Sequence, residues 1–540
     1  MNQERLLAAA AIAAITLLGF FYFPGHTYLH QDTQIYVPIL ERLRDPSLFT
    51  QDPVALRPHV TYTIYDEVTL ALARLFGGSI EIALKTQQLL SRAAGVLGVV
   101  LIAVRLGLSL RLALLVAAIV HLGATVSGPA VLTVEYEPVP RGFAVPLLLL
   151  ALGLIAQEHW LAAEITACVA LLYHPPTAFP FLAALGIFVL VHRQWRMLWP
   201  VAAAGGLLYA LALAQPGLSE KQVLFGTVDP ALEALQRMRA AYNWISLWSG
   251  EWVVQYVLLF AVAVAAWWRL RRLMPEELRL FLIVMPVWSL LTMPASYLLL
   301  EQMKWSMMPQ FQPARATLFL VVLAQILGGI CGLRAARERR WAEAALWLIP
   351  AFAIPVHTLV LRTLPPMDNL LAWKRTALVA ALVALTAAAS RFEKRTALWA
   401  LALFVPFVAI PLAGEVRNYP TIHNPQVDEL AAWAKASTPR DAVFLFPDAA
   451  RSLQPGIFRA RALRSLYVDW KGGGQVNLLK QFADEWWKRW QRFVPAKFER
   501  PEFELYRQAG IDFIVLDAQR RLEGREAAFE NSRFVAYAVR

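Results

Sequence analysis

Long apolar runs separated by short polar connections occupy the chain up to about residue 414. They lie at Leu6–Phe23 and near 88–104, 110–127, 142–156, 160–173, 176–192, 197–214, 251–268, 280–300, 313–332, 341–361, 371–389 and 396–412. A helix needs roughly 20 apolar residues to cross a hydrocarbon core ~30 Å thick, so the pattern predicts about 13 transmembrane helices, with the pair at 142–173 short. The first run ends in Phe21-Tyr22-Phe23-Pro24-Gly25-His26, which offers no small-x-small cleavage site. It is expected to be an uncleaved first span.

The pattern changes after residue 415. An amphipathic stretch from Val427 to Lys435, a strand-like Ala442–Phe446, a Trp-rich helix near 475–492, a helix at 502–509 and a strand-like Ile511–Leu516 follow in turn. Helices interleaved with short apolar strands predict a small α/β domain. The expected organisation is a multi-spanning transmembrane domain, 1–414, with a long first outer loop at 24–87, and a soluble α/β domain, 415–540.

Composition agrees with lipid as the main solvent. Of 540 residues 58% are hydrophobic and 17% charged, against roughly 25% charged in soluble domains. The 51 basic and 39 acidic residues leave a formal charge of +12. No aromatic-basic nucleic-acid motif accompanies that charge, and its distribution follows topology. With the N-terminus cytoplasmic, alternate connections carry Arg105 and Arg111, then Gln157-Glu158-His159, then His192, Arg193 and Arg196. Arg269, Arg271, Arg272 and Arg279 follow, then Arg334, Arg337, Arg339 and Arg340, then Arg391, Lys394 and Arg395. The opposite connections hold little beyond Arg141, Lys304 and Arg362. The positive-inside bias therefore predicts an N-in, C-out protein of a bacterial-type inner membrane. The unusual polar stretches, 24–87, 128–141, the turn at 173–176, 215–250, 301–315 and the chain after 413, all fall on the extracytoplasmic side.

Four segments on that side carry candidate chemistry. The first is His30-Gln31-Asp32-Thr33-Gln34-Ile35-Tyr36, ahead of a predicted interfacial helix at 37–44. A carboxylate where a helix leaves the bilayer is placed to accept a proton from an acceptor hydroxyl; Asp32 is equally placed to cap the helix. The second is Glu135-Tyr136-Glu137-Pro138-Val139-Pro140-Arg141-Gly142. Its arginine can clamp a lipid phosphate, with a glutamate orienting it or holding a sugar hydroxyl, or the acids and the arginine can pair to close the loop. In the third, Tyr173-His174-Pro175-Pro176-Thr177, His174 is either a binding residue or a helix-end residue. The fourth runs from Glu301-Gln302-Met303-Lys304 to Gln310-Phe311-Gln312-Pro313-Ala314-Arg315. Arg315 is expected one turn inside a span, where it needs an anionic partner: a lipid phosphate, Glu135 or Glu137.

Absent motifs narrow the function. There is no Walker loop, dinucleotide fingerprint, Gly-x-Ser-x-Gly elbow or His-Glu-x-x-His, which removes support for nucleotide-driven transport and several hydrolase classes. Cys168 and Cys331 lie inside apolar runs and are expected to be buried thiols. No metal site and no cofactor are expected. The triplet Gly472-Gly473-Gly474, after Tyr467-Val-Asp-Trp-Lys471, is a weak phosphate-loop signal.

An N-in first span, an acidic residue opening a long first outer loop with interfacial helices, many spans and an outward C-terminal domain together resemble the GT-C superfamily of membrane glycosyltransferases. The resemblance implies inverting transfer of a sugar from a polyprenyl-phosphate carrier to a glycan, lipid or protein acceptor. It implies Asp32 as the base, and basic residues of later outer loops, Arg141, Lys304 and Arg315, as donor-phosphate ligands. His30, Glu135, Glu137 and His174 are the remaining binding candidates. The sequence departs from the paired acids many members carry, since His30 stands where Asp-x-Asp would place the first acid. A transporter or flippase of lipid-linked saccharides and a non-catalytic envelope scaffold are the competing classes. A transporter should show internal repeats and charges near the bilayer midplane, and neither is visible.

Overall fold

The computed structural model describes residues 3–57, 63–214, 225–363 and 369–539. Parts of the polar stretches 24–87 and 215–250 lie outside the described residues. Among those described, nine helices are long and apolar enough to cross a membrane. Four shorter apolar helices join them: Leu110–His121, Pro140–Ala156, Trp160–Tyr173 and Trp341–Val356. The protein is a polytopic α-helical membrane protein with a small C-terminal sheet.

Two apolar runs fold differently from the expectation. The run at 110–127 stays helical only to His121, because Gly123 and then Ser127-Gly128-Pro129 interrupt it. The chain there makes an antiparallel pair, β1 (Thr125–Val126) with β2 (Val131–Leu132). In the run at 313–332 the first residues form a tight turn, Pro313–Ala316, and the helix runs Thr317–Arg337. Arg315 therefore lies in the turn ahead of this helix and not one turn inside it. Pro313 lacks an N–H and suits the start of such a turn.

The helix Thr317–Arg337 is the centre of the bundle, its apolar window entirely buried. Beside it, Ile80–Arg105 and Pro140–Ala156 approach at backbone contact. A Cβ on Gly153 would sit 2.6 Å from the Gly98 carbonyl oxygen, and one on Gly98 would overlap the Leu149 backbone. Small residues permit this approach where lipid supplies no hydrophobic drive.

The loop between the first helix and Ile80–Arg105 carries two amphipathic helices, Thr33–Arg44 and Tyr65–Leu75. The former buries Ile35, Val37, Ile39 and Leu40 while Arg42 and Arg44 point outward. Above it lies a five-stranded sheet built from β3 (Val443–Leu445), β4 (Ser465–Leu466), β5 (Phe513–Asp517), β6 (Phe529–Glu530) and β7 (Phe534–Ala538). The strand order is β4-β3-β5-β7-β6. β3 runs parallel to β4 and β5, whereas β7 is antiparallel to β5 and β6.

A buried ion cluster locks this sheet region onto the first loop. Arg459, with a fully buried side chain, donates to Asp469 Oδ1 at 2.9 Å and to the Gln34 carbonyl at 2.9 Å, with Asp52 Oδ2 at 3.7 Å. Asp52 Oδ2 also accepts from the Leu466 N–H at 2.9 Å, tying the loop to β4. Asp469 accepts from the Gly472 N–H at 3.1 Å, and its carbonyl accepts from Trp486 Nε1 at 2.9 Å. A Cβ on Gly473 would collide with the Trp486 ring, so glycine is required there. The net effect is to hold Lys471 and the short helix Gly472–Asn477 over Thr33–Arg44.

Candidate active site

Glu137 builds the turn that presents Asp32. Its Oε1 accepts from the backbone N–H groups of His30 and Gln31, both at 2.7 Å, and from Thr33 Oγ1 at 2.9 Å. Its Oε2 accepts from the Thr33 N–H at 3.0 Å. These four bonds occupy a buried carboxylate, whose burial pushes its pKa above the usual carboxylate range. Glu137 thus shapes the loop and does not line the cavity described below.

Asp32 stands at the N-cap position of Thr33–Arg44, yet its side chain makes no capping hydrogen bond. Both oxygens face cations instead: Oδ1 is 2.6 Å from Lys471 Nζ and Oδ2 is 2.9 Å from Arg141 Nη1. Burial raises the Asp32 pKa, but Lys471 and then Arg141 outweigh it and hold the carboxyl well below the usual range. Arg141 opens the helix Pro140–Ala156 and is shared, its Nε 2.7 Å and Nη2 3.4 Å from the two oxygens of Glu135. The internal Glu135–Arg141 pair expected for this segment is present and extends to Asp32.

These groups wall a cavity of about 400 Å³. Asp32, Arg141, His174 and Arg315 all line it, from four segments far apart in sequence. Arg315 pairs with neither Glu135 nor Glu137; among the described residues it makes no ion pair. Its guanidinium lies 5.1 Å over the Tyr242 ring, and its Nε is buried without a hydrogen-bond partner. His174 ends a helix, as one of its two readings expects, and also stands on the cavity wall. Its Nδ1 accepts from the Thr177 N–H at 3.2 Å, capping Pro175–His192, and the ring faces the cavity. Burial, then Arg315 and Arg141, pull its pKa down to about 3, so it is neutral.

The other four expected residues are off the cavity wall: Glu135 and Glu137, bonded as described, and Lys304 and His30. Lys304 pairs with Glu233 at 2.8 Å and is not on the cavity wall, because the turn at 303–305 carries it toward the helix Pro230–Arg239. His30 turns its Nδ1 to the Pro420 carbonyl at 2.9 Å and packs on His423. Other wall residues had no assignment from sequence: Lys471, Arg239, Tyr242, Gln310 and Gln312. Lys471 immediately precedes the glycine triplet, and that adjacency was the available signal. Arg239 ends a short amphipathic helix that carries no motif. Among the described residues no group of three or more His, Cys, Asp or Glu is arranged to hold a metal ion.

A family model described as a domain of unknown function (DUF6798) matches residues 425–493. No curated protein matches the chain. Among solved structures, the chain is similar to ArnT from Cupriavidus metallidurans bound to undecaprenyl phosphate, at 15% identity and a TM-score of 0.50, over 99% of this chain and 97% of that one. The apo state of the same protein matches at 14% identity, with the same TM-score of 0.50 and the same coverage. The chain therefore shares its fold with ArnT. Arabinofuranosyltransferase AftD from Mycobacteria is a further neighbour, at 14% identity and a TM-score of 0.46, over 99% of this chain and 41% of that one. In this fold the loop after the first helix and the C-terminal sheet region meet directly over the cavity, which is how Lys471 reaches Asp32.

Proposed function

We propose that the protein is an inverting glycosyltransferase that moves a sugar from a polyprenyl-phosphate carrier to a glycan, lipid or protein acceptor. The observation that carries this reading is Asp32, a carboxylate on a cavity whose other charged wall residues are Arg141, Arg239, Arg315 and Lys471. The likeness in fold to a protein solved with undecaprenyl phosphate supports it. In the proposed reaction the acceptor oxygen attacks the anomeric carbon and its proton passes to Asp32. The bond from that carbon to the phosphate oxygen breaks, and its electron pair leaves with the polyprenyl phosphate, which gains one negative charge. Arg315, with no carboxylate partner, fits the phosphate that acquires this charge. Arg141, already shared between Glu135 and Asp32, positions the base. The loop charge bias supports an inner-membrane protein with a cytoplasmic N-terminus and the cavity on the extracytoplasmic side.

Two experiments test the reading. Membranes carrying the wild-type chain or Asp32→Asn are incubated with a panel of radiolabelled polyprenyl-phosphate sugars, and transfer to endogenous acceptors is counted. The variant should lose ~10²–10⁴-fold in turnover, the usual contribution of a general base; wild-type turnover in the variant would reject Asp32 as the base. For orientation, Ala450→Cys in the exposed loop after β3 should react with an impermeant thiol reagent added to intact cells. Protection there, with labelling after lysis, would reverse the orientation.

A further inference from the structure

The cavity holds more positive charge than the proposed donor needs. Four cations line it against one carboxylate, and two of the four, Arg141 and Lys471, are held by Asp32. A polyprenyl-phosphate sugar is a phosphodiester with a single negative charge, which Arg315 matches. Arg239 remains.

Arg239 is set apart from Arg315 by its position in the fold. It ends the extramembrane helix Pro230–Arg239, which docks on the segment after Lys471 through Gln236 Nε2 and the Val476 carbonyl at 3.2 Å. Its guanidinium stacks 4.2 Å over the Trp470 ring, and Nη2 donates to the Trp470 carbonyl at 2.5 Å. That carbonyl belongs to the peptide leading into Lys471. No carboxylate pairs with Arg239 among the described residues, and its Nε is buried without a hydrogen-bond partner. Arg315, by contrast, stands directly ahead of Thr317–Arg337, one of the helices long and apolar enough to cross a membrane. An arginine held beside a lysine, without a carboxylate partner, on a helix that is not one of the apolar spans, matches an anion that arrives from the aqueous side.

We propose that Arg239 and Lys471 form a second anion subsite of this cavity, which takes a phosphate or carboxylate carried by the acceptor. The proposal rests on the donor reading above for the role of the cavity, and it names the acceptor class. It also gives Lys471 a function beyond neutralising Asp32. An acceptor anion competes with Asp32 for the Lys471 ammonium; as that ion pair loosens, Asp32 becomes more basic when the acceptor hydroxyl arrives.

Binding of defined probes to the full-length protein in lipid nanodiscs tests this by calorimetry. The probes are undecaprenyl phosphate, undecaprenyl diphosphate and glycerol 3-phosphate; the proteins are wild type, Arg239→Gln, Arg239→Lys and Arg315→Gln. Glycerol 3-phosphate should bind wild type already saturated with undecaprenyl phosphate. Arg239→Gln should weaken that binding at least ~10-fold, as loss of a charge-assisted contact does. Undecaprenyl phosphate affinity should stay unchanged in Arg239→Gln, and Arg239→Lys should retain part of the glycerol 3-phosphate binding, which excludes misfolding as the cause. Competition between the two probes, equal glycerol 3-phosphate affinity in Arg239→Gln, or no glycerol 3-phosphate binding at millimolar concentration would each overturn the subsite. Tighter binding of the diphosphate than the monophosphate, with the difference lost in Arg239→Gln, would assign Arg239 to the donor and overturn it as well. If undecaprenyl phosphate fails to bind wild type while glycerol 3-phosphate binds in an Arg239-dependent way, the donor reading fails and the subsite stands.

Discussion

Arg459 and Lys471 both reach from the C-terminal region to a carboxylate of the loop after the first helix, and their surroundings differ. Arg459 and Asp52 have no side-chain exposure, and backbone N–H groups, Asp469 and the Gln34 carbonyl complete the cluster around them. Asp32, beneath Lys471, keeps 28% of its side chain exposed, on a cavity. A cluster whose charged side chains face one another with almost no exposure has no room for a ligand, and removing one member strands the others. The cavity cluster has matched Asp32 but leaves Arg239 and Arg315 on its wall without a carboxylate partner among the described residues. The difference separates a fastening from a binding site: the first sets the position of the loop, and the second uses that position.

Substitutions can break this contrast, and the largest effect is expected at the fastening. Arg459→Met should destabilise the protein by about 3–5 kcal/mol, because Asp52 and Asp469 are left as buried carboxylates without their cation. Lys471→Met should cost much less, since Asp32 keeps Arg141 and some access to water. Thermal unfolding in detergent compares them, and equal losses would show that the two clusters serve the same purpose.

Arg141 tests the boundary between the two types. Its Glu135 partner is buried, but the Leu132 N–H still donates to Glu135 at 3.3 Å. Arg141→Gln should therefore lower stability by about 1.5–3 kcal/mol, the range for losing a hydrogen bond to a charged group. A melting temperature equal to wild type would mean that Arg141, like Arg315, is held in reserve for a ligand.

The smallest effect is expected at His174. Burial with Arg315 and Arg141 nearby lowers its pKa to about 3, so it stays neutral from pH 5 to 8 and does not titrate in that window. His174→Gln should leave the shape of the pH–activity profile over that range unchanged. A lost acid limb in the variant would show that His174 ionises during turnover.

Much of the fold was legible because lipid imposes a simple rule on sequence: each apolar run of spanning length became a helix. Glycine and proline decided the exceptions, at 121–132 and at 313–316, and both are visible in the sequence once their effect on backbone geometry is weighed. The site was legible in part. Asp32, Arg141, His174 and Arg315 stood out as polar groups at the ends of apolar runs, where an ionisable residue is expensive and needs a reason. Glu137 also stood out, but its four hydrogen bonds to the first loop depend on a contact across more than a hundred residues that no local pattern encodes. Lys471 and Arg239 were missed for the same reason. In a soluble segment a basic residue costs little, so nothing local distinguishes one that meets Asp32 from one that meets water.

The central claim is that the cavity beside Asp32 binds a polyprenyl phosphate through Arg315. Titration of the purified wild-type protein and Arg315→Gln with undecaprenyl phosphate, alongside thermal unfolding of both, tests it most directly. The claim predicts saturable binding by wild type, a loss of about 10–100-fold in affinity for the variant, and melting temperatures that agree. Unchanged affinity with a lowered melting temperature in Arg315→Gln would contradict it, making Arg315 a structural cation and leaving the phosphate to be held elsewhere.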